Sequence, residues 1–81
     1  MLARLTAYSS ETSLGGVLIW RFNIEVLELD NPIIMETLSL DAVASIADIR
    51  QNGPITRLCR AIRNANEGDY QALLGVEFGA D

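Results

Sequence analysis

The feature that most constrains the fold is the alternation of apolar and polar residues in positions 17–29. Five apolar side chains share one side of this run at every second position: Leu18, Trp20, Phe22, Ile24 and Val26. Arg21, Asn23 and Glu25 occupy the other side. This pattern predicts a β-strand with one dry and one wet face, and its aromatic and β-branched residues favour the same structure.

A looser alternation over residues 2–8 predicts a second strand, with Ala3, Leu5 and Ala7 on one side. We expect it to pair antiparallel with the first. The polar, glycine-ended stretch 9–16 between them predicts a mobile connecting loop. The Asp-Asn-Pro sequence at 30–32 ends the stronger strand because proline has no N–H for a ladder. Residues 33–37 fit either a third strand or an extended entry into a helix.

Two helices are predicted in the second half of the chain. Ser39 is a suitable N-cap for the first, and Asp41 then lies in its first turn. Its apolar stripe contains Val43, Ile46 and Ala47, widened by Ala42 and Ile49. Gly53 is predicted to end it in the left-handed conformation, and Pro54 to open the next helix.

The second helix is predicted over residues 54–64, where apolar residues recur at helical spacing. Its apolar face contains Ile55, Leu58, Cys59 and Ile62, which we expect to cover Leu18, Trp20, Phe22 and Ile24. A short helical turn over 69–74 and a brief strand over 75–79 complete the pattern. The sequence thus predicts one α+β domain over residues 1–81: an antiparallel sheet built on a long β-hairpin, with two to three helices on one face and a short C-terminal strand.

Composition excludes several kinds of chemistry. The chain has 81 residues, no histidine and a single cysteine, so an internal disulfide, a cysteine zinc site and imidazole catalysis are ruled out. Cys59 is predicted to be a buried packing residue. Neither a calcium-binding loop nor a phosphate-binding glycine loop is present. We therefore expect no enzyme activity, cofactor or metal, no membrane segment, and a reducing, cytoplasmic setting.

The charged residues are segregated along the chain, whose net charge is −5. The candidate partner-binding residues are the acids Glu25, Glu28, Asp30, Glu36, Asp41 and Asp48, and the arginines Arg57, Arg60 and Arg63. In one interpretation both blocks form interaction surfaces. In the other, the arginines simply face the acidic segment inside the fold, where surface ion pairs contribute only about 0–1 kcal/mol each.

These features favour a non-enzymatic protein-binding module whose acids meet a basic surface of a partner. In size and charge the chain resembles the small inhibitors that phages and mobile elements direct at host defence complexes. One alternative is an accessory nucleic-acid-binding domain that uses the arginine stripe, although the net charge disfavours nucleic acid. Another is a homodimer or larger assembly joined through an exposed edge strand. Tyr8 and Leu14 are further candidates for a partner anchor.

A helix, an arginine-bearing helix (ITRLCRAIRN) and a polar turn leading to DYQALLGVEFG follow one another over residues 37–78. In this order the segment resembles the N-terminal domain of VirE-like and primase-like proteins of mobile elements. It departs from that domain at its end, where VEFGAD replaces a threonine-rich strand and a serine-glycine turn. No site residue or activity is transferred from the resemblance.

Overall fold

A computed structural model describes residues 1–28, 33–49 and 53–79. Its strands are β1 (Leu2–Thr12), β2 (Leu18–Leu27), β3 (Ile34–Ser39) and β4 (Phe78–Gly79). Its helices are α1 (Leu40–Ala47), α2 (Pro54–Asn64) and a short 3-10 helix, Gln71–Leu73. The described part of the chain forms a four-stranded antiparallel sheet in the order β3-β2-β1-β4. The predicted α+β fold is confirmed, and residues 33–37 contribute to a third strand.

The β1–β2 hairpin is longer than predicted. Its pairing continues from Leu2 opposite Leu27 as far as Thr12 opposite Leu18, so the connecting loop shrinks to residues 13–17. The prediction of a loop over 9–16 is therefore wrong for residues 9–12. These polar residues form strand because the first residues of β2 lie opposite them and supply backbone partners.

A β-bulge in β1 changes the side of the sheet on which its residues lie. Leu5 lies opposite Ile24 and Ala7 opposite Asn23, which leaves Thr6 as the extra residue. Beyond the bulge the alternation is shifted by one. The prediction that Ala7 joins Ala3 and Leu5 is therefore wrong: Ala7 is exposed, and Tyr8 packs against the core in its place.

The core lies between the sheet and one layer of helices. Its buried apolar residues are Ala3, Leu5, Phe22, Ile24, Val26, Val43, Ala47, Leu58, Cys59, Ile62 and Tyr70. The predicted apolar face of α2 is confirmed, with Ile55 packed at its margin. α2 was expected to cover Leu18, Trp20, Phe22 and Ile24 of β2, but it packs mainly on β1 and β4, whereas α1 packs on β2 and β3. Leu18 is 45% exposed because it lies at the far end of the hairpin. We call the uncovered side of the sheet its open face.

Tyr70 is the largest fully buried side chain, and the sequence patterns did not identify it. Its ring makes edge-on contacts with Phe22, Trp20 and Tyr8, at centroid distances of 4.9, 5.1 and 5.6 Å. Burial raises the pKa of its hydroxyl. These contacts hold the segment after α2 against the hairpin.

The helix ends show one confirmed prediction and one wrong one. Ser39 is the N-cap of α1, and its hydroxyl accepts a hydrogen bond from the N–H of Ala42. Gly53 is extended, at φ −71°, and forms the N-cap of α2 with Pro54 in the first turn. The predicted left-handed conformation of Gly53 is wrong because this residue begins α2, and an N-cap is normally extended. The predicted strand end at 30–32 lies outside the described residues.

Candidate functional site

The arginines of α2 are bonded to neighbouring parts of the fold. Arg57 Nη1 donates to the carbonyl of Gly79 in β4 at 2.8 Å. Arg60 donates from Nε to the carbonyl of Ala47 at 3.1 Å and from Nη2 to that of Ile49 at 2.7 Å. Arg63 Nη1 donates to the carboxylate of Asp48. The predicted arginine stripe thus connects α2 to the end of α1 and to β4. Asp48, one of the predicted partner-binding acids, is the ion-pair partner of Arg63.

Glu25 lies on the open face, as its position in β2 predicted, yet it is only 8% exposed. Arg4, opposite it on β1, donates to both carboxylate oxygens, from Nη2 to Oε1 at 3.0 Å and from Nε to Oε2 at 3.3 Å. Hydrogen bonding to Glu25 and the negative charge of Glu25 raise the pKa of the Arg4 guanidinium. Glu28 follows β2 and is half-buried, and Asp30 lies outside the described residues.

Glu36 and Asp41 are exposed, and unlike Asp48, which is also exposed, they form no ion pair with α2 in the described part of the chain. Neither lies within ion-pair distance of an arginine in the described residues. Glu36 lies in the middle of β3, and Asp41 lies two residues after the N-cap of α1. The structure therefore leaves the side chains of these two predicted acids accessible to solvent.

Two clefts flank β3. The larger, of about 360 Å³, is lined by Met1, Glu36, Ile46, Gly53, Pro54, Ile55 and Thr56. The smaller, of about 210 Å³, is lined by residues 17–20 of the hairpin and by Ser39, Leu40 and Asp41. Each cleft has mostly apolar walls and one carboxylate. Each of the two exposed acids thus lies beside apolar surface.

Strand β3 is an edge of the sheet, since only β2 pairs with it in the described part of the chain. Two of its apolar residues are unusually exposed, at 51% for Ile34 and 65% for Met35, and Ile33 precedes them at 56%. Leu38, the third apolar residue, packs against the core. Glu36 is the one charged residue in the strand. The sequence left this segment ambiguous, although its β-branched and apolar residues were the signal for a strand.

The one cysteine of the chain, Cys59, is buried as predicted. Burial raises the pKa of the Cys59 thiol to about 11, so the thiol is protonated and unreactive near neutral pH. Among the residues that the structure describes, no three potential ligands come together in a way that could hold a metal ion. Of the two alternative anchors, Tyr8 packs in the aromatic cluster, whereas Leu14 is fully exposed at the hairpin tip.

Within the described ranges, no helix has both the length and the hydropathy required to cross a bilayer. The candidate site consists of strand β3 together with the exposed carboxylates of Glu36 and Asp41. Comparison with protein-family models, curated proteins and solved structures gives no match for this chain, so these comparisons do not support the resemblance seen over residues 37–78.

Proposed function

We propose that this chain is a non-enzymatic protein-binding module that binds a basic segment of a partner protein. The observation that carries the proposal is the edge strand β3, where Ile34 and Met35 are exposed next to Glu36, whose carboxylate pairs with no arginine among the described residues. Exposed apolar surface with polar surroundings marks interaction sites. The carboxylates of Glu36 and Asp41 make this surface negatively charged. A negatively charged surface favours and attracts a positively charged partner.

The contacts of the arginines favour this function over nucleic-acid binding. Arg57, Arg60 and Arg63 all donate to carbonyl or carboxylate oxygens of the fold. A phosphate would have to compete with these acceptors. The net charge of −5 also opposes the approach of a nucleic acid.

A finer form of the proposal concerns the partner's own role. A basic surface that handles nucleic acid carries arginines and lysines placed for phosphates. The carboxylates of Glu36 and Asp41 would bind these arginines and lysines and so prevent the nucleic acid from binding them. This is the mode of action expected of a small inhibitor of a nucleic-acid-handling complex.

The proposal is tested by measuring the binding of a nona-arginine peptide at two salt concentrations. Glu36→Lys should weaken binding about tenfold, equivalent to about 1.4 kcal/mol, because it sets like charges against each other. Asp69→Lys is the matched control, since Asp69 is an exposed acid in the loop after α2 and the charge change is the same. Equal affinity of the two variants and the original chain would contradict the proposal. Tight binding of a DNA oligonucleotide that is lost in an Arg57→Ala, Arg60→Ala and Arg63→Ala triple variant, shown by circular dichroism to be folded, would support the nucleic-acid alternative instead.

A further inference from the structure

We infer that the partner segment binds as an additional β-strand along the outer edge of β3, with arginines and apolar residues alternating in its sequence. This inference rests on the function proposed above and adds the geometry of the complex. Strand addition is an established mode of peptide recognition, in which backbone hydrogen bonds supply affinity and the alternate side chains supply specificity.

The backbone of β3 is suited to this role. It pairs with β2 through six consecutive residues, from Ile34 opposite Val26 to Ser39 opposite Arg21. In an antiparallel ladder every second residue directs its N–H and C=O to the same neighbour, so the alternate residues of β3 direct theirs outward. The strand contains no proline and no lysine, and its one charged residue, Glu36, disfavours an added strand unless that strand supplies a cation.

The two faces of β3 favour different side chains in the added strand. Ile34, Glu36 and Leu38 lie opposite the core residues of β2, so they share the face that carries the helices. Met35 and Thr37 lie opposite Glu25 and Asn23 and share the open face. Since side chains alternate along any strand, the added strand places every second residue beside Glu36 and the others beside Met35.

The cleft next to Glu36 fits an arginine. Its walls include Met1, Ile46, Pro54 and Ile55, and its volume is about 360 Å³. An arginine side chain can lay its aliphatic stem along apolar walls while its charged head remains accessible to water. Its planar guanidinium can donate two parallel hydrogen bonds to the carboxylate of Glu36. On the open face, an apolar residue beside Met35 removes exposed apolar surface from water.

A second copy of this chain matches the site poorly. The edge that it would offer, Ile34–Ser39, contains one acid and no base. Pairing two such edges leaves each Glu36 without a cation and brings together two chains of net charge −5. Like charges that lie opposite one another destabilise strand pairing. Charge complementarity therefore selects a basic strand over self-association.

The test uses an eight-residue peptide in which arginine and valine alternate, and three controls. One has methylated backbone nitrogens at the valines, the second has them at the arginines, and the third groups the four arginines together. The alternating peptide should bind at least tenfold more tightly than the grouped peptide and than one methylated peptide. Every second amide of Ile34–Ser39 should also exchange its hydrogen more slowly in the complex, as measured by NMR.

The outcomes separate this inference from the function on which it rests. If all four peptides bind equally and Glu36→Lys still weakens them, the chain binds basic segments without strand addition, and the inference is wrong. If no peptide binds, both proposals fail. Light scattering that shows a dimer, with the β3 amides protected before any peptide is added, identifies a second copy as the occupant and overturns the choice of a basic partner. Circular dichroism checks that Glu36→Lys is folded.

Discussion

Arg60 provides a direct test of whether the arginine stripe supports the fold. Its guanidinium donates to the carbonyls of Ala47 and Ile49, at 3.1 and 2.7 Å, at the C-terminal end of α1. Such carbonyls have no partner within their own helix. The last turn of α1 contains no basic residue, so a cation from α2 takes that role.

The expected effect follows from these two bonds. Hydrogen bonds that involve a charged group contribute about 1.5–3 kcal/mol each. The bond to Ile49 is exposed and counts for less, whereas the bond to Ala47 is partly buried. We therefore expect Arg60→Met, which keeps most of the aliphatic stem, to lower the free energy of unfolding by about 2–3 kcal/mol.

Arg63 supplies a matched control on the same helix. Its partner is the carboxylate of Asp48, and the side chains of Arg63 and Asp48 are 41% and 76% exposed. A pair this exposed contributes at most about 1 kcal/mol. The same change, Arg63→Met, should therefore destabilise the protein distinctly less than Arg60→Met.

Urea unfolding measures both variants, with the fluorescence of Trp20 as the signal. Trp20 is the only tryptophan in the sequence, and its ring lies 5.1 Å from that of Tyr70, so its environment changes on unfolding. The denaturant slope should be unchanged, because the surface exposed on unfolding is nearly the same. Equal losses for the two variants, or a loss below about 0.5 kcal/mol for Arg60→Met, would refute the structural role of Arg60.

Three further predictions concern the core and the sheet. Tyr70→Leu removes three ring contacts worth about 0.5–1.5 kcal/mol each, so urea unfolding should show a loss of about 1.5–4.5 kcal/mol; no loss would contradict the cluster. Because burial raises the pKa of the Cys59 thiol to about 11, above its ordinary value of 9.0, its contribution to stability is complete below pH 9 and is lost as pH rises from 9 through 11. Unfolding measured across that range should therefore depend less steeply on pH in Cys59→Ala, and equal slopes would count against the burial of the thiol. Glu25→Gln should lower unfolding free energy by about 1.5–3 kcal/mol, and Glu11→Gln, in a more exposed pair, by at most about 1 kcal/mol; the reverse order would show that burial does not strengthen the Arg4–Glu25 pair.

The parts of the fold that periodicity predicted are those where one residue spacing holds throughout an element. The alternation around Phe22 and Ile24 identified β2, and the spacing of Leu58, Cys59 and Ile62 identified α2 with both of its ends. These patterns are reliable because one face of each element is buried in the core. The cap at Ser39 was also predictable, since its hydroxyl bonds to a backbone N–H only three residues away.

The parts that periodicity missed depend on contacts distant in sequence. The bulge at Thr6 is determined by the pairing of β1 with β2, and no local pattern marks it. It exposes Ala7 and turns Tyr8 towards the core. Tyr70 lies in a short segment without alternation, and it is buried because three rings from the hairpin surround it. A count of apolar positions within one element cannot show such an environment.

The same distinction explains the candidate site. In the sequence the acids form one block and the arginines form another. No local pattern indicates which of the two blocks makes its contacts within the fold. The structure bonds Arg60 and Arg63 to α1 and its end, and it sets Glu36 on an edge strand without a described arginine nearby. Arginine reaches carbonyls across a helix pair because its stem is long. A glutamate in the centre of a six-residue edge strand has no cation within its own strand, so any cation that pairs with it comes from another part of the chain or from a partner.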